Sequence, residues 1–152
     1  MKFIFDSREK DNAHIKRWFD RKGLAYEVRK LDVGDYMMEG HPEFVIDRKK
    51  SLDELATNLL NRSDRARFWR EVRRAREQGI RLIVLCEHGH GIQSIQDVKN
   101  WHSEYSRVTG KALMDEIFRV HVSYGVQFLF TDRRHMAKRI YELLTGEEND
   151  KP

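Results

Sequence analysis

Within "GDYMMEGHPEFVIDRKKSLDEL" (residues 34–55), Asp35, Asp47 and Lys49 have the types and spacing for metal-assisted attack of water on a phosphate ester. Residues two apart on a strand project to the same side, so an extended Glu43–Lys49 segment puts Asp47 and Lys49 on one face. Asp35, on the preceding strand of an expected hairpin, reaches that side, and Asp53 follows in the first turn of the next helix. Oxygen ligands of this kind suit Mg²⁺ or Mn²⁺, which are held by one or two carboxylates together with waters and phosphate oxygens. A lysine beside such an ion orients or activates the attacking water, or offsets charge developing at phosphorus. Solvent-exposed ion pairs at a strand end are the plainer account of the same residues, and the bare pattern recurs by chance in charged chains.

The elements that must position these groups are legible from periodicity. Lys2 to Asp6 is a short apolar strand ending in an acid. Asp11 or Asn12 is a candidate cap for a helix carrying Ile15, Trp18 and Phe19 on one face, stopped at Gly23. Two strands follow, Tyr26 to Leu31 and Asp35 to Met38, broken at Gly34. The Gly40-His41-Pro42 turn leads into the Glu43–Lys49 strand. Ser51-Leu52-Asp53-Glu54 is a capping box that starts a helix at once, with Glu54 expected to return the bond. A second helix, from about Asp64 to Gln78, lays Phe68, Val72 and Ala75 on one face. Ile80 to Glu87 is nearly all apolar, as a central strand covered on both faces should be. Residues 88–110 show no clear period and suggest loop with a short helix. Leu113, Ile117, Val120 and Tyr124 then have helical spacing, Val126 to Thr131 suggests a strand, and Met136, Ile140, Leu143 and Leu144 a last helix. The expectation is one α/β domain over residues 1–146, a mixed sheet with helices on both faces, and a disordered tail over 147–152.

The 152 residues are enough for one domain with a sizeable core, and 36% of them are charged. No apolar run approaches the ~20 residues of a membrane span, and the first residues do not resemble a signal peptide. The single cysteine, Cys86, has no partner for an intrachain disulfide and lies in an apolar strand. A cytoplasmic protein is expected. The net charge is +4, but seven arginines stand between Arg62 and Arg76 against only Asp64 and Glu71. Such clustering points to a polyanion, nucleic acid being the commonest, with a solvated helix face as the alternative.

"DSREK" (6–10), "GDY" (34–36) and "DRKKSLDEL" (47–55), in this order, resemble the nuclease domain of the XPF family of structure-specific endonucleases, whose motif is G-D, a variable gap, then E-R-K-x-x-x-D. The resemblance covers roughly residues 3–90, and the remainder fits as a helix–strand–helix ending. It implies a restriction-endonuclease-like α/β fold and a metal-dependent endonuclease acting on branched or flap-type DNA, with Mg²⁺ or Mn²⁺ as cofactor. It also implies Asp35 and Asp47 as metal ligands, Lys49 as the catalytic lysine, Arg48 as the motif arginine, and Asp53 as the closing acid. Asp6 and Arg8 would be the charged pair after the first strand, with Glu9 a looser match and Tyr36 a packing residue. Asp47 replaces the family's glutamate, one methylene shorter. The tandem helix-hairpin-helix module that usually follows has no counterpart in these 152 residues. DNA-binding residues are expected among Arg62, Arg65, Arg67, Arg70 and Arg74. A homodimer through the apolar side of the last two long helices (Leu113, Ile117, Ile140 and Leu144) is implied, and a nucleoid or phage-host cytoplasm would be the setting. A non-catalytic DNA-binding partner subunit is the alternative, although such a subunit would be expected to lose Asp35, Asp47 or Lys49, and all three are present.

Other motifs carry less. His88, His90 and His102 are too few for a zinc site with the only cysteine in a strand. Thr109-Gly110-Lys111-Ala112 lacks the upstream glycine and the Ser/Thr of a nucleotide-binding loop, so no nucleotide cofactor is expected. Trp101 and Tyr105, among Arg107 and Lys111, could stack on bases, although core packing is the commoner fate of aromatic residues.

Overall fold

A computed structural model describes residues 1–89 and 91–147. Six strands form one mixed sheet: β1 (Lys2–Asp6), β2 (Ala25–Arg29), β3 (Tyr36–Met38), β4 (His41–Lys49), β5 (Arg81–Glu87) and β6 (Gln127–Thr131), in the order β2-β1-β3-β4-β5-β6. Only β3 runs against its neighbours: it pairs antiparallel with β1 and β4, whereas β1–β2, β4–β5 and β5–β6 are parallel. The five helices are α1 (Ala13–Arg21), α2 (Leu52–Leu60), α3 (Arg62–Glu77), α4 (Gly110–Tyr124) and α5 (Met136–Thr145), with a 3-10 turn at Gln96–Asn100.

Each face of the sheet has its own apolar core. On one, Phe3, Phe5, Tyr36, Ile46 and Leu85 pack against Ile15 and Phe19 of α1 and Ile140 and Leu144 of α5. On the other, Leu82, Val84 and Cys86 meet Leu55 and Leu59 of α2, Phe68 and Val72 of α3, and Leu113, Ile117 and Val120 of α4. β5 is buried on both faces, as its unbroken apolar run requires.

Several local expectations change for identifiable reasons. β2 stops at Arg29 because the Leu31 N–H leaves the ladder and donates to the Asp6 carboxylate at 2.8 Å. α3 begins at Arg62 rather than Asp64 because the Asn61 side chain accepts from the N–H groups of Ser63 and Asp64 and caps it directly after α2. Asn12 precedes α1 but makes no side-chain cap; its amide donates to the Tyr36 hydroxyl instead. Ser51 caps α2 by accepting from Glu54 N–H at 3.0 Å, while the Glu54 carboxylate accepts from Lys50 N–H rather than from Ser51. The apolar side of α4 and α5 expected to carry a dimer contact is already in use. Leu113, Ile117 and Ile140 have no exposed surface and Leu144 has 8%, because the domain's own core needs them. Of the tail expected over 147–152, residues 148–152 lie outside the described residues; Glu147 accepts a hydrogen bond from the Tyr141 hydroxyl. Among the described residues no helix is long and apolar enough to cross a membrane.

Candidate active site

Gly34 and Asp35 form the corner where the chain enters β3. Gly34 has φ +70°, and a Cβ there would collide with Val45 Cγ1, so both the backbone conformation and the close approach of β4 require glycine. Asp35 is then clamped on both sides: its N–H donates to Ile46 C=O and its C=O accepts from Asp6 N–H, each at 2.8 Å. Its carboxylate accepts from the Arg48 N–H at 2.8 Å. The carboxyl is thereby delivered to the end of β4, beside Asp47.

Asp47 and Lys49 share the face of β4 that looks toward α2 and α3. Lys49 Nζ lies 3.3 Å from Asp47 Oδ2 and 5.9 Å from the Phe68 ring centroid. Asp47 is 4% exposed, within hydrogen-bonding reach of the Asp35 and Glu71 carboxyls, and its buried Oδ2 accepts no hydrogen bond. Glu71, on α3, also accepts from Gly34 N–H at 3.4 Å. Three carboxyls thus converge around one ammonium group. Burial, then the charge of Asp47, pushes Asp35 well above the ordinary carboxylate range. The same two causes raise Glu71 to about 9. Burial works to raise Asp47 as well, but the Lys49 ammonium and hydrogen bonds from Glu71 and Asp35 hold it lower than usual. Burial works to lower Lys49, but Asp47, Glu71 and Asp35 hold it above its usual value, so it remains a cation at neutral pH.

Three carboxyls share one lysine, whose ammonium lies 3.3 Å from Asp47 Oδ2 without making a hydrogen bond to it, so the site holds more acid groups than cations. An oxygen-only donor set with an unmet acceptor fits a hard divalent cation. Among the described residues no group of three or more His, Cys, Asp or Glu side chains is placed so that it could hold a metal ion. Mg²⁺ does not require one, since one or two carboxylates completed by waters and phosphate oxygens are its usual holders.

The other expected residues divide. Arg48 points to the opposite face of β4 with its side chain fully buried. It donates to Glu9 Oε2 at 3.1 Å, to both Glu87 oxygens at 3.2 Å, and to the carbonyls of Lys10 and Asp11. Asp6 lines the pocket, but its oxygens already accept from Leu31 N–H and from Arg8, whose guanidinium also donates to Leu31 C=O at 2.6 Å. That pair ties the end of β1 to the chain entering the Gly34 corner. Asp53 is not brought to the pocket; its carboxylate accepts from the Ser103 hydroxyl. Glu54, one residue on, lines the pocket in its stead.

Of the arginines on α3, Arg67, Arg70 and Arg74 line the pocket, and Arg74 also donates to Asp32 C=O at 2.9 Å. Arg65 turns away to Glu116 on α4, and Arg62 is exposed at the helix start. Glu71 is the residue that sequence reasoning missed, appearing there only as a minority charge in an arginine run. Its signal was present: it follows Phe68 by three residues and precedes Ala75 by four, which puts a lone acid beside the buried stripe of α3.

A family model described as "ERCC4 domain" matches residues 5–143. Two solved structures are similar in fold: XPF from Aeropyrum pernix (TM-score 0.70) and XPF from Aeropyrum pernix in complex with DNA (TM-score 0.69). Each is 18% identical and matches over 95% of this chain. The chain spans 63% of the length of each. No curated protein matches it.

Proposed function

This chain belongs to the ERCC4 domain family, and from that premise and the pocket we propose that it is a metal-dependent endonuclease that hydrolyses phosphodiester bonds in branched or flap-type DNA. The observation that carries the reading is the convergence of the Asp35, Asp47 and Glu71 carboxyls on Lys49, in a pocket whose other wall is Arg67, Arg70 and Arg74. Asp35 and Asp47 would hold Mg²⁺ or Mn²⁺. Such an ion, when bound, acidifies a water and offsets charge on the scissile phosphate.

The chain's own groups do the rest. Lys49 stays protonated in this surrounding, so it acts by orienting water and stabilising charge at phosphorus rather than as a general base. Arg67, Arg70 and Arg74 hold backbone phosphates along the pocket rim, which positions a strand without reading its sequence. Arg48 and Asp6–Arg8 keep β1, β3 and β4 in register beneath the carboxylates. DNA as the substrate is supported by this basic wall and by the structural likeness to an XPF held in complex with DNA. A homodimer would use surfaces other than the buried sides of α4 and α5.

End-labelled forked, flapped, nicked and fully paired DNAs incubated with Mg²⁺, Mn²⁺ or EDTA test the reading. Cleavage is expected only with metal, and Asp47→Asn is expected to remove it. DNA binding without cleavage of any substrate under all metal conditions would instead favour a non-catalytic partner subunit.

A further inference from the structure

Among the described large apolar and aromatic side chains Tyr105 is the most exposed, with 84% of its surface in solvent. The loop that carries it is tied down at every level. A bridge between His102 and Thr109 closes its base, and the Ser103 N–H donates to Val108 C=O at 3.3 Å. Inside, the buried Ser103 hydroxyl donates to the Asp53 carboxylate and accepts from the N–H groups of Tyr105 (3.1 Å) and Ser106 (3.0 Å). Ordering a backbone costs conformational entropy at every residue. Here it is ordered around a ring that is almost wholly in water. That is the form of a preorganised contact, whose loop entropy is already spent before a ligand arrives.

The anchor ties the loop to the helix that borders the site. Asp53 lies in the first turn of α2, the turn that also sends Glu54 into the pocket, and it follows Lys49 by four residues. Four residues span at most about 14 Å, or roughly four nucleotide steps at 3.4 Å along one strand. Exposed Arg107 stands two residues from Tyr105 and supplies a cation for a phosphate; Lys111, nearby in sequence, is paired with Asp115. An exposed aromatic ring beside a cation suits an unpaired base, because every base offers a π-face.

We propose that the 102–109 loop is a second nucleic-acid contact, in which the Tyr105 ring stacks on an unpaired base a few nucleotides from the scissile bond. Asp53 serves as the latch of this loop and not as a metal ligand. This rests on the nuclease reading for the identity of the polymer. It adds a reason for preferring branched DNA, since a fully paired duplex has no free base face to offer at that distance.

The test is fluorescence anisotropy on the whole chain carrying Asp47→Asn, with a fork bearing unpaired arms and a fully paired duplex of equal length. Tyr105→Ala should weaken fork binding by about tenfold, in the range for one base–aromatic stack, and leave duplex binding unchanged. Tyr105→Phe, which keeps the π-face, should bind as the parent does. Asp53→Ala and Ser103→Ala should each weaken fork binding in the same direction. In the otherwise wild-type chain, Asp53→Ala should leave the Mn²⁺-induced rise in Tm intact. Equal fork affinity for Tyr105→Ala and the parent overturns the stacking contact, and is also what a purely protein-facing loop would give. Loss of the Mn²⁺ effect in Asp53→Ala overturns the latch. A parent chain that binds neither DNA removes the nuclease reading itself, which is a separate outcome.

Discussion

On one face of β4, Asp47 and Lys49 meet Asp35 and Glu71; on the other, Arg48 is enclosed by Glu9, Glu87 and, through Glu87, His14 and Arg133. Both clusters are buried and highly charged, and they are separated by the thickness of one strand. The Arg48 side is balanced: one guanidinium makes five hydrogen bonds to two carboxylates and two carbonyls, although its Nε is unmet. On the Asp47 side three carboxyls share one ammonium group, and the atom that makes no hydrogen bond is an acceptor, Asp47 Oδ2. A balanced cluster holds strands together; the acid-rich one is the cluster proposed to receive a metal ion. Of three consecutive charged residues, the middle one is therefore structural, and the outer two are proposed to face the chemistry.

The largest expected effect belongs to the balanced side. Arg48→Ala leaves Glu9 and Glu87 buried without their counter-charge and should cost about 3–5 kcal/mol, a large part of a domain's typical 5–15 kcal/mol; urea unfolding measures it. Asp47→Asn and Lys49→Ala should each lower cleavage by about a hundredfold or more with the fold retained. If Arg48→Ala unfolded no more easily than Asp47→Asn, the contrast between the two faces would be broken.

Proton linkage sharpens the comparison, because Glu71 on one face and His14 on the other respond to pH with opposite signs. Glu71 has a folded pKa raised from 4.5 to about 9, so the metal-free fold binds a proton that the unfolded chain has released. Its contribution is full below 4.5 and is lost as pH rises toward about 9, and Glu71→Gln should flatten that decline. His14 is lowered from 6.5, mainly by burial and against the pull of Glu87. Its contribution is present above 6.5 and fades as pH falls, so His14→Gln should flatten the acid side instead. Urea midpoints in EDTA across this range separate the two.

Smaller effects lie at the edges of the pocket. Neutralising Arg67, Arg70 and Arg74 together should reduce the slope of log K against log salt by about one unit for each phosphate that is no longer held. An unchanged slope would reduce this wall to a solvated surface. Ser51→Ala should cost only about 1 kcal/mol by removing the cap of α2, measured as a shift in the urea midpoint.

Much of this was legible in the residues themselves, because it depends on neighbours in the chain. Strand alternation determined that Asp47 and Lys49 face one way and Arg48 the other. The capping box determined that α2 starts immediately after β4, and the unbroken apolar run determined that β5 is central. Glycine at 34 marked a corner before the structure revealed the close approach of Val45 that requires it. What stands opposite each side chain was decided only by the tertiary structure, since those partners are remote in sequence. Glu9 and Glu87 each lie 39 residues from Arg48, and Ser103 lies 50 from Asp53. Spacing put Asp53 near the site, but a rotation of about 100° per residue around α2 turns Glu54 to the pocket and leaves Asp53 for Ser103. Glu71 was hidden for the same reason: local pattern gives the face of a helix, and only the packing of α3 against β4 says which charge that face will meet.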